Sequence, residues 1–165
     1  MIFLTIGTHE PFDRLVRAVD DWCAARNDTP DILGQITARA GYQPTQFRVV
    51  ASMGPEEYER CFREADFIIS HAGMGSIITA LSLQKPIVIL PRRGHLNETR
   101  NDHQFATLQR FGDKPGIFAA EDETALPAVL DQVAKGKATA GGEISAFASK
   151  ELIDALRGFI HEDGI

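Results

Sequence analysis

The stretch Ser70-His71-Ala72-Gly73-Met74-Gly75-Ser76 constrains this chain more than any other. The apolar run Phe67-Ile68-Ile69 precedes it and is short enough for a buried parallel strand. Ile77 to Leu83 follows and reads as a helix, so the glycines and Ser76 sit at the junction. A strand, a glycine turn and a helix start in succession make an anion site. Unpaired N–H groups project from the helix N-terminus, the helix dipole is positive there, and glycine lets a ligand approach the backbone. Phosphate or diphosphate is the ligand that such a junction suits.

The rest of the chain repeats the strand–helix alternation. Ile2 to Ile6 is an apolar strand ending at Gly7. Phe12, Leu15, Val16, Val19, Trp22 and Cys23 then recur at helical spacing, with Pro11 in the first turn. Ile32 to Thr37 is the weaker of the next two strands, because Gly34 and Gln35 interrupt it, and Phe47 to Ala51 is the firmer. Pro55-Glu56-Glu57 opens a helix with acids in its first turn. After the glycine turn come the strand Ile87 to Leu90, a polar loop from Pro91 and a helix from about Asn101 to Phe111. A short strand, Gly116 to Ala119, precedes a helix that begins at Asp122 and runs through Val133. Residues 135–142 read as a Lys/Ala/Gly linker, and 143–161 as a terminal amphipathic helix with Phe159 and Ile160 on its apolar face. This alternation predicts an α/β fold: one domain over residues 1–165 with a Rossmann-like, doubly wound parallel sheet. Ligands of such sheets sit beyond the C-terminal strand ends, so the two glycine loops and the Pro91–Gln104 loop are expected to share one rim.

Composition narrows the class of partner. The chain has 165 residues and a net charge of −6, which argues against nucleic-acid binding through a broad basic surface. Cys23 and Cys61 fall on apolar helical positions with no CxxC spacing, and they read as buried thiols in a reducing cytoplasm. No run approaches the ~20 apolar residues of a membrane span. The N-terminus reads as a strand and lacks the basic start of a signal peptide.

Three loops carry candidate chemistry. Gly7-Thr8-His9-Glu10 puts two titratable groups in a short loop at the sheet rim; a tight turn capped by Thr8 is the plainer reading. His71, beside Gly73 and Gly75, is a candidate donor to a diphosphate or a sugar, or a cap of the turn. Ser76 suits either a helix cap or a phosphate oxygen. Arg92, Arg93 and Arg100 cluster in an acidic protein beside the anion site and suggest local charge compensation. Asn101 or Asp102 can cap the next helix, and His103 and Gln104 offer groups suited to sugar hydroxyls. The polar residues of this segment fit no standard zinc spacing, so no metal is expected.

The blocks GTHEPFDRLV, ADFIISHAGMGSIITALSLQKPIVILPR and NDHQ, in this order, resemble the C-terminal domain of family 28 glycosyltransferases over about residues 1–120. The likeness is greatest to the split forms. These are the catalytic subunit of the two-part GlcNAc transferase that makes dolichol-linked chitobiose, and the small subunits of paired bacterial exopolysaccharide transferases. The resemblance implies the C-terminal, donor-binding half of a GT-B enzyme. The chain starts at the first strand of that half, so the half that binds the lipid-linked acceptor is expected on a separate, membrane-anchored subunit. The chain itself would be cytoplasmic, held at the inner face of the membrane through that partner. By position, Gly73, Gly75 and Ser76 would hold the diphosphate, and Asn101, Asp102, His103 and Gln104 would lie near the donor sugar. Gly7, Thr8 and His9 would face the cleft between subunits, and the strand Gly116–Ala119 would offer backbone groups to uracil. Many relatives carry a glutamate for the ribose hydroxyls where this chain has Thr79.

The expected activity is inverting transfer of a hexosyl or N-acetylhexosaminyl group from a UDP-sugar, with no cofactor or metal. His9 and Glu10 are the local candidates for the general base, unless the partner supplies it. Two other readings stay open: a non-catalytic nucleotide-sugar-binding module, and a sugar-nucleotide epimerase, whose relatives carry both halves on one longer chain.

Overall fold

A computed structural model describes residues 1–7 and 10–137. Thr8, His9, the expected terminal helix and most of the expected linker lie outside the described residues. Six parallel strands form one sheet: β1 (Ile2–Thr5), β2 (Ile32–Gln35), β3 (Arg48–Val50), β4 (Phe67–His71), β5 (Ile87–Leu90) and β6 (Ile117–Ala119). Their spatial order is β3-β2-β1-β4-β5-β6. The order reverses between β1 and β4, which pair in register from Ile2–Phe67 to Thr5–Ser70. That reversal is the switch point at which doubly wound sheets open a crevice for ligand.

The strands read as continuous apolar runs because both faces of the sheet are covered. Successive residues of β1 serve opposite cores. Ile2 and Leu4 join Ile69 and Val88 beneath α1 (Asp13–Ala24) and α5 (Leu126–Gln132). Phe3 joins Ile68, Ile87 and Ile89 beneath α2 (Pro55–Glu64) and α3 (Met74–Ser82). Phe3 packs edge to face with Tyr58 and Phe62 in this second layer, and those two rings are tilted against each other, with centroids 5.0–5.6 Å apart. Helix α4 (His103–Phe111) follows β5. Cys23 and Cys61 are free and buried, and burial pushes the Cys23 thiol up to about 11.

Several expectations are corrected. β2, expected to be the weaker strand, is interior and buried, whereas β3 is a half-exposed edge of three residues. Gly34 does not interrupt β2: its missing side chain admits Val49 and Phe47, which a Cβ would meet at 3.0 and 3.1 Å. Gln35 is fully bonded. Its Oε1 accepts the Thr5 hydroxyl, and its Nε2 donates to the carbonyls of Gly7 and Ala51. Helix α3 starts at Met74, with Gly73 as its N-cap, so Ser76 lies inside the first turn, is buried and does not cap. Helix α4 starts at His103 rather than near Asn101, and its N-cap Asp102 makes no side-chain cap. Asp122 organises a turn by accepting the amides of Thr124 and Ala125, and α5 begins only at Leu126. The start of the expected linker belongs to a wider helical turn, Val133–Lys137, broken at Gly136 with φ +69°.

Candidate functional site: a cleft at the switch point

The loops after β1, β4 and β5 leave the sheet at the same rim and enclose a cleft of about 360 Å³. Ile6, Gly7 and Glu10 form one wall, and His71 closes the end of β4. Arg92, Glu98, Thr99, His103 and Gln104 form the other wall. A concavity of similar size, lined by Met1, Asp31 and Asp66 among others, opens at the N-terminal strand ends. Asp66 is paired there with the N-terminal ammonium at 2.7 Å, and the sheet rule places ligands at the other rim.

His71 is the hinge of the site. Its ring lies between two glycines. A Cβ on Gly7 would meet its Cε1 at 3.2 Å, and a Cβ on Gly73 would overlap Nε2 and come within 2.8 Å of Cδ2. Gly7 also has φ +80°, a conformation costly for any other residue. Ser70 Oγ lies 3.3 Å from His71 Nδ1. Burial first, and the Arg92 charge second, lower the His71 pKa to about 4, so the ring is neutral at physiological pH. It then offers one hydrogen-bond donor and one acceptor without adding charge.

Beside it, α3 begins with no acidic residue and no side-chain cap, so nothing in its first turn competes with an incoming anion. Gly75 is exposed, and a Cβ there would meet nothing within 4 Å. Thr79 stands one turn further on, and its hydroxyl donates to the Gly75 carbonyl at 2.9 Å.

The opposite wall is held by charge. Arg14 of α1 grips the Glu98 carboxylate through Nε and Nη2, each at 2.8 Å, and adds Glu123 and the Pro91 carbonyl. Glu98 also accepts the Arg93 amide, Gln104 Oε1 accepts the Arg92 amide, and Asp102 accepts the Gly94 amide. Arg92 is 4 % exposed, and its terminal nitrogens donate to four main-chain carbonyls. The Arg93 guanidinium turns toward the Glu121 carbonyl at 3.2 Å. Asn101 is exposed and its side chain bonds His103 Nδ1.

Of the residues singled out from sequence, Gly7, Glu10, His71, Arg92, His103 and Gln104 meet in the cleft. Gly73 joins through His71, while Gly75, Ser76 and Thr79 lie along the start of α3. Asn101 and Asp102 precede α4 on its exposed side, Arg93 points to the turn after β6, and Thr8 and His9 lie outside the described residues. Sequence reasoning missed Glu98 and Gln35. A polar residue interrupting an apolar strand was the available signal for Gln35. Among the described residues no group of three His, Cys, Asp or Glu is placed to hold a metal, and no helix is long and apolar enough to cross a membrane.

Comparison with known proteins bears on this geometry. The glycosyltransferase family 28 C-terminal domain matches residues 1–155. The mouse (Mus musculus) UDP-N-acetylglucosamine transferase subunit ALG13 is 30% identical over 130 residues, which is 70% of this chain and 10% of that protein. The chain therefore spans about a tenth of the length of that curated relative. The solution structure of an ALG13 superposes with a TM-score of 0.58 at 18% identity, covering 94% of this chain and 93% of that one. The glycotransferase of kitacinnamycin superposes with a TM-score of 0.59 at 19% identity, covering 83% of this chain and 36% of that one.

Proposed function

The chain belongs to the family of the glycosyltransferase family 28 C-terminal domain, and from that premise we propose that it binds the nucleotide-sugar donor of a two-part transferase. The donor is a UDP-sugar, with UDP-N-acetylglucosamine the first to test, since a relative carries that sugar nucleotide in its name. The observation that carries this reading is the cleft at the β1–β4 switch point, lined by the neutral His71 and the buried Arg92, with the uncapped start of α3 adjoining it through Gly73 beside the His71 ring.

The diphosphate lies against the first turn of α3 at Gly73, Gly75 and Ser76. Backbone N–H groups and the helix dipole take up the charge that develops on it as the glycosyl bond breaks. With Arg92 beneath the cleft, that charge needs no metal. His71 donates one hydrogen bond to the diphosphate or the sugar. His103 and Gln104 face the sugar, with Asn101 and Asp102 behind them. Thr79 donates its hydroxyl to the Gly75 carbonyl and keeps its lone pairs to accept from a ribose hydroxyl, a weaker contact than a carboxylate makes.

The acceptor hydroxyl attacks the anomeric carbon from the face opposite the leaving UDP, which inverts the configuration. A base takes the hydroxyl proton as that bond forms. His9 and Glu10 are this chain's candidates, and the partner subunit is the alternative source of the base. A separate membrane-anchored subunit binds the lipid-linked acceptor and brings this chain to the membrane's inner face, in polysaccharide or glycolipid synthesis.

Isothermal titration with UDP in EDTA, followed by transfer assays with the co-expressed partner, tests this reading. Saturable UDP binding without metal and partner-dependent turnover are expected. Binding without transfer under any pairing would leave a nucleotide-sugar-binding module. Near-normal turnover of His9→Ala would remove His9 from the mechanism.

A further inference from the structure

Arg92 lies two residues past the end of β5, under the cleft. Its Nη2 donates to the carbonyls of Ile6 and Glu10 at 2.8 and 2.7 Å. Its Nη1 donates to those of Pro11 and Glu98 at 2.7 and 3.1 Å. Three of these acceptors flank Gly7 on both sides, and the fourth belongs to the opposite wall. The Phe12 ring covers the guanidinium, with Cζ 4.6 Å from the ring centroid. No carboxylate is among these partners, because Glu98 turns its own to Arg14 and to the Arg93 amide. A planar fork with fixed donors suits four acceptors around one plane. An ammonium, with three donors on one atom, cannot span them.

We propose that Arg92 is a positioning residue: it ties Ile6, Glu10 and Pro11 on one wall to the loop at Glu98 on the other, so that the cleft has its donor-binding width before the nucleotide arrives. Contact with the diphosphate is then left to His71 and the start of α3. The ligand-binding half of this proposal rests on the donor-site reading above; the tethering half does not.

Two measurements on the full chain test it. In the wild type, the guanidinium N–H signals of Arg92 should be resolved by slow rotation about Cζ–Nη and should stay nearly in place when UDP is added. A single averaged signal, or a large displacement on adding UDP, would overturn the proposal. In Arg92→Lys and Arg92→Gln, amide hydrogen exchange at Ile6, Glu10 and Phe12 should accelerate while β4 and β5 stay protected. UDP affinity should fall by about tenfold or more in both variants, measured well below each variant's Tm, as expected when a binding wall loses its position. Wild-type affinity in Arg92→Lys with loss only in Arg92→Gln would mean a direct charge contact and would sink the positioning role. Should neither variant fold, the wild-type guanidinium spectra still decide. If the wild type binds no UDP, the donor reading falls, while the exchange and guanidinium data continue to test the tether.

Discussion

The β4–α3 turn and the β5–α4 loop leave neighbouring strands at the same rim, yet they are built in opposite ways. The β5–α4 loop is cross-braced. Side chains of Glu98, Gln104 and Asp102 take the amides of Arg93, Arg92 and Gly94, and Arg14 holds the Pro91 carbonyl. The β4–α3 turn carries no side-chain cap, and its exposed Gly75 has open space before it. A ligand that meets backbone donors needs a wall where those donors are free, and a second wall rigid enough to keep it there. The difference between the two loops divides the site into a surface for contact and a surface for position.

Removing the keystone of the braced wall should have the largest effect. Glu98→Ala leaves Arg14 without its bidentate partner and the Arg93 amide without an acceptor. Both side chains of the pair are only 12% exposed, so the loss should be about 3 kcal/mol, near the lower end for breaking a buried ion pair. Urea denaturation with linear extrapolation measures it. A change below about 0.5 kcal/mol, the size of an ordinary surface substitution, would show that the bracing is ornamental and would erase the contrast between the walls.

How much of this contrast is legible in the sequence depends on distance along the chain. The strand–turn–helix at Ser70–Ser76 and the apolar runs of β1, β4 and β5 are local patterns, and their placement at one rim follows from sheet topology alone. The bracing is not local: Arg14 and Glu98 are 84 residues apart, and no periodicity connects them. Gly34 and Gln35 mislead for a related reason. Local propensity counts them as interruptions of a strand, whereas cross-strand packing against Val49 and bonding to Thr5 require them. The start of α3 misleads because preference for serine caps favours Ser76, while the position of the His71 ring requires glycine three residues earlier.

The hinge between the walls should show itself in acid. The folded chain holds His71 neutral down to about 4, against an ordinary 6.5. Below pH 6.5 the unfolded chain therefore takes up a proton that the folded chain refuses, and stability is lost progressively until about pH 4, where the loss levels off. Between pH 7 and pH 5 this amounts to about 2 kcal/mol. Urea melts of the wild type and of His71→Asn across that range isolate it, because the asparagine does not titrate. Parallel pH curves for the two proteins would mean that the imidazole is not shielded, and that the cleft end at β4 is wetter than the glycine sandwich implies.

The two glycines of the turn give the smallest effects and the sharpest separation. Gly73→Ala should destabilise by about 1–2 kcal/mol, since its Cβ displaces the His71 ring in a packed site. Gly75 has no neighbour to disturb and occupies an ordinary helical position in the first turn of α3. Gly75→Ala should therefore raise stability by about 0.5–1 kcal/mol, through the backbone entropy that glycine loses on folding. The same methyl group stands where a diphosphate would meet the helix N-terminus, so UDP affinity should fall even as Tm rises. Calorimetric Tm and UDP titration on the one variant read both numbers. UDP affinity that holds or rises in this variant would mean that the open turn is not a contact surface, since a methyl group placed against a bound diphosphate must weaken it.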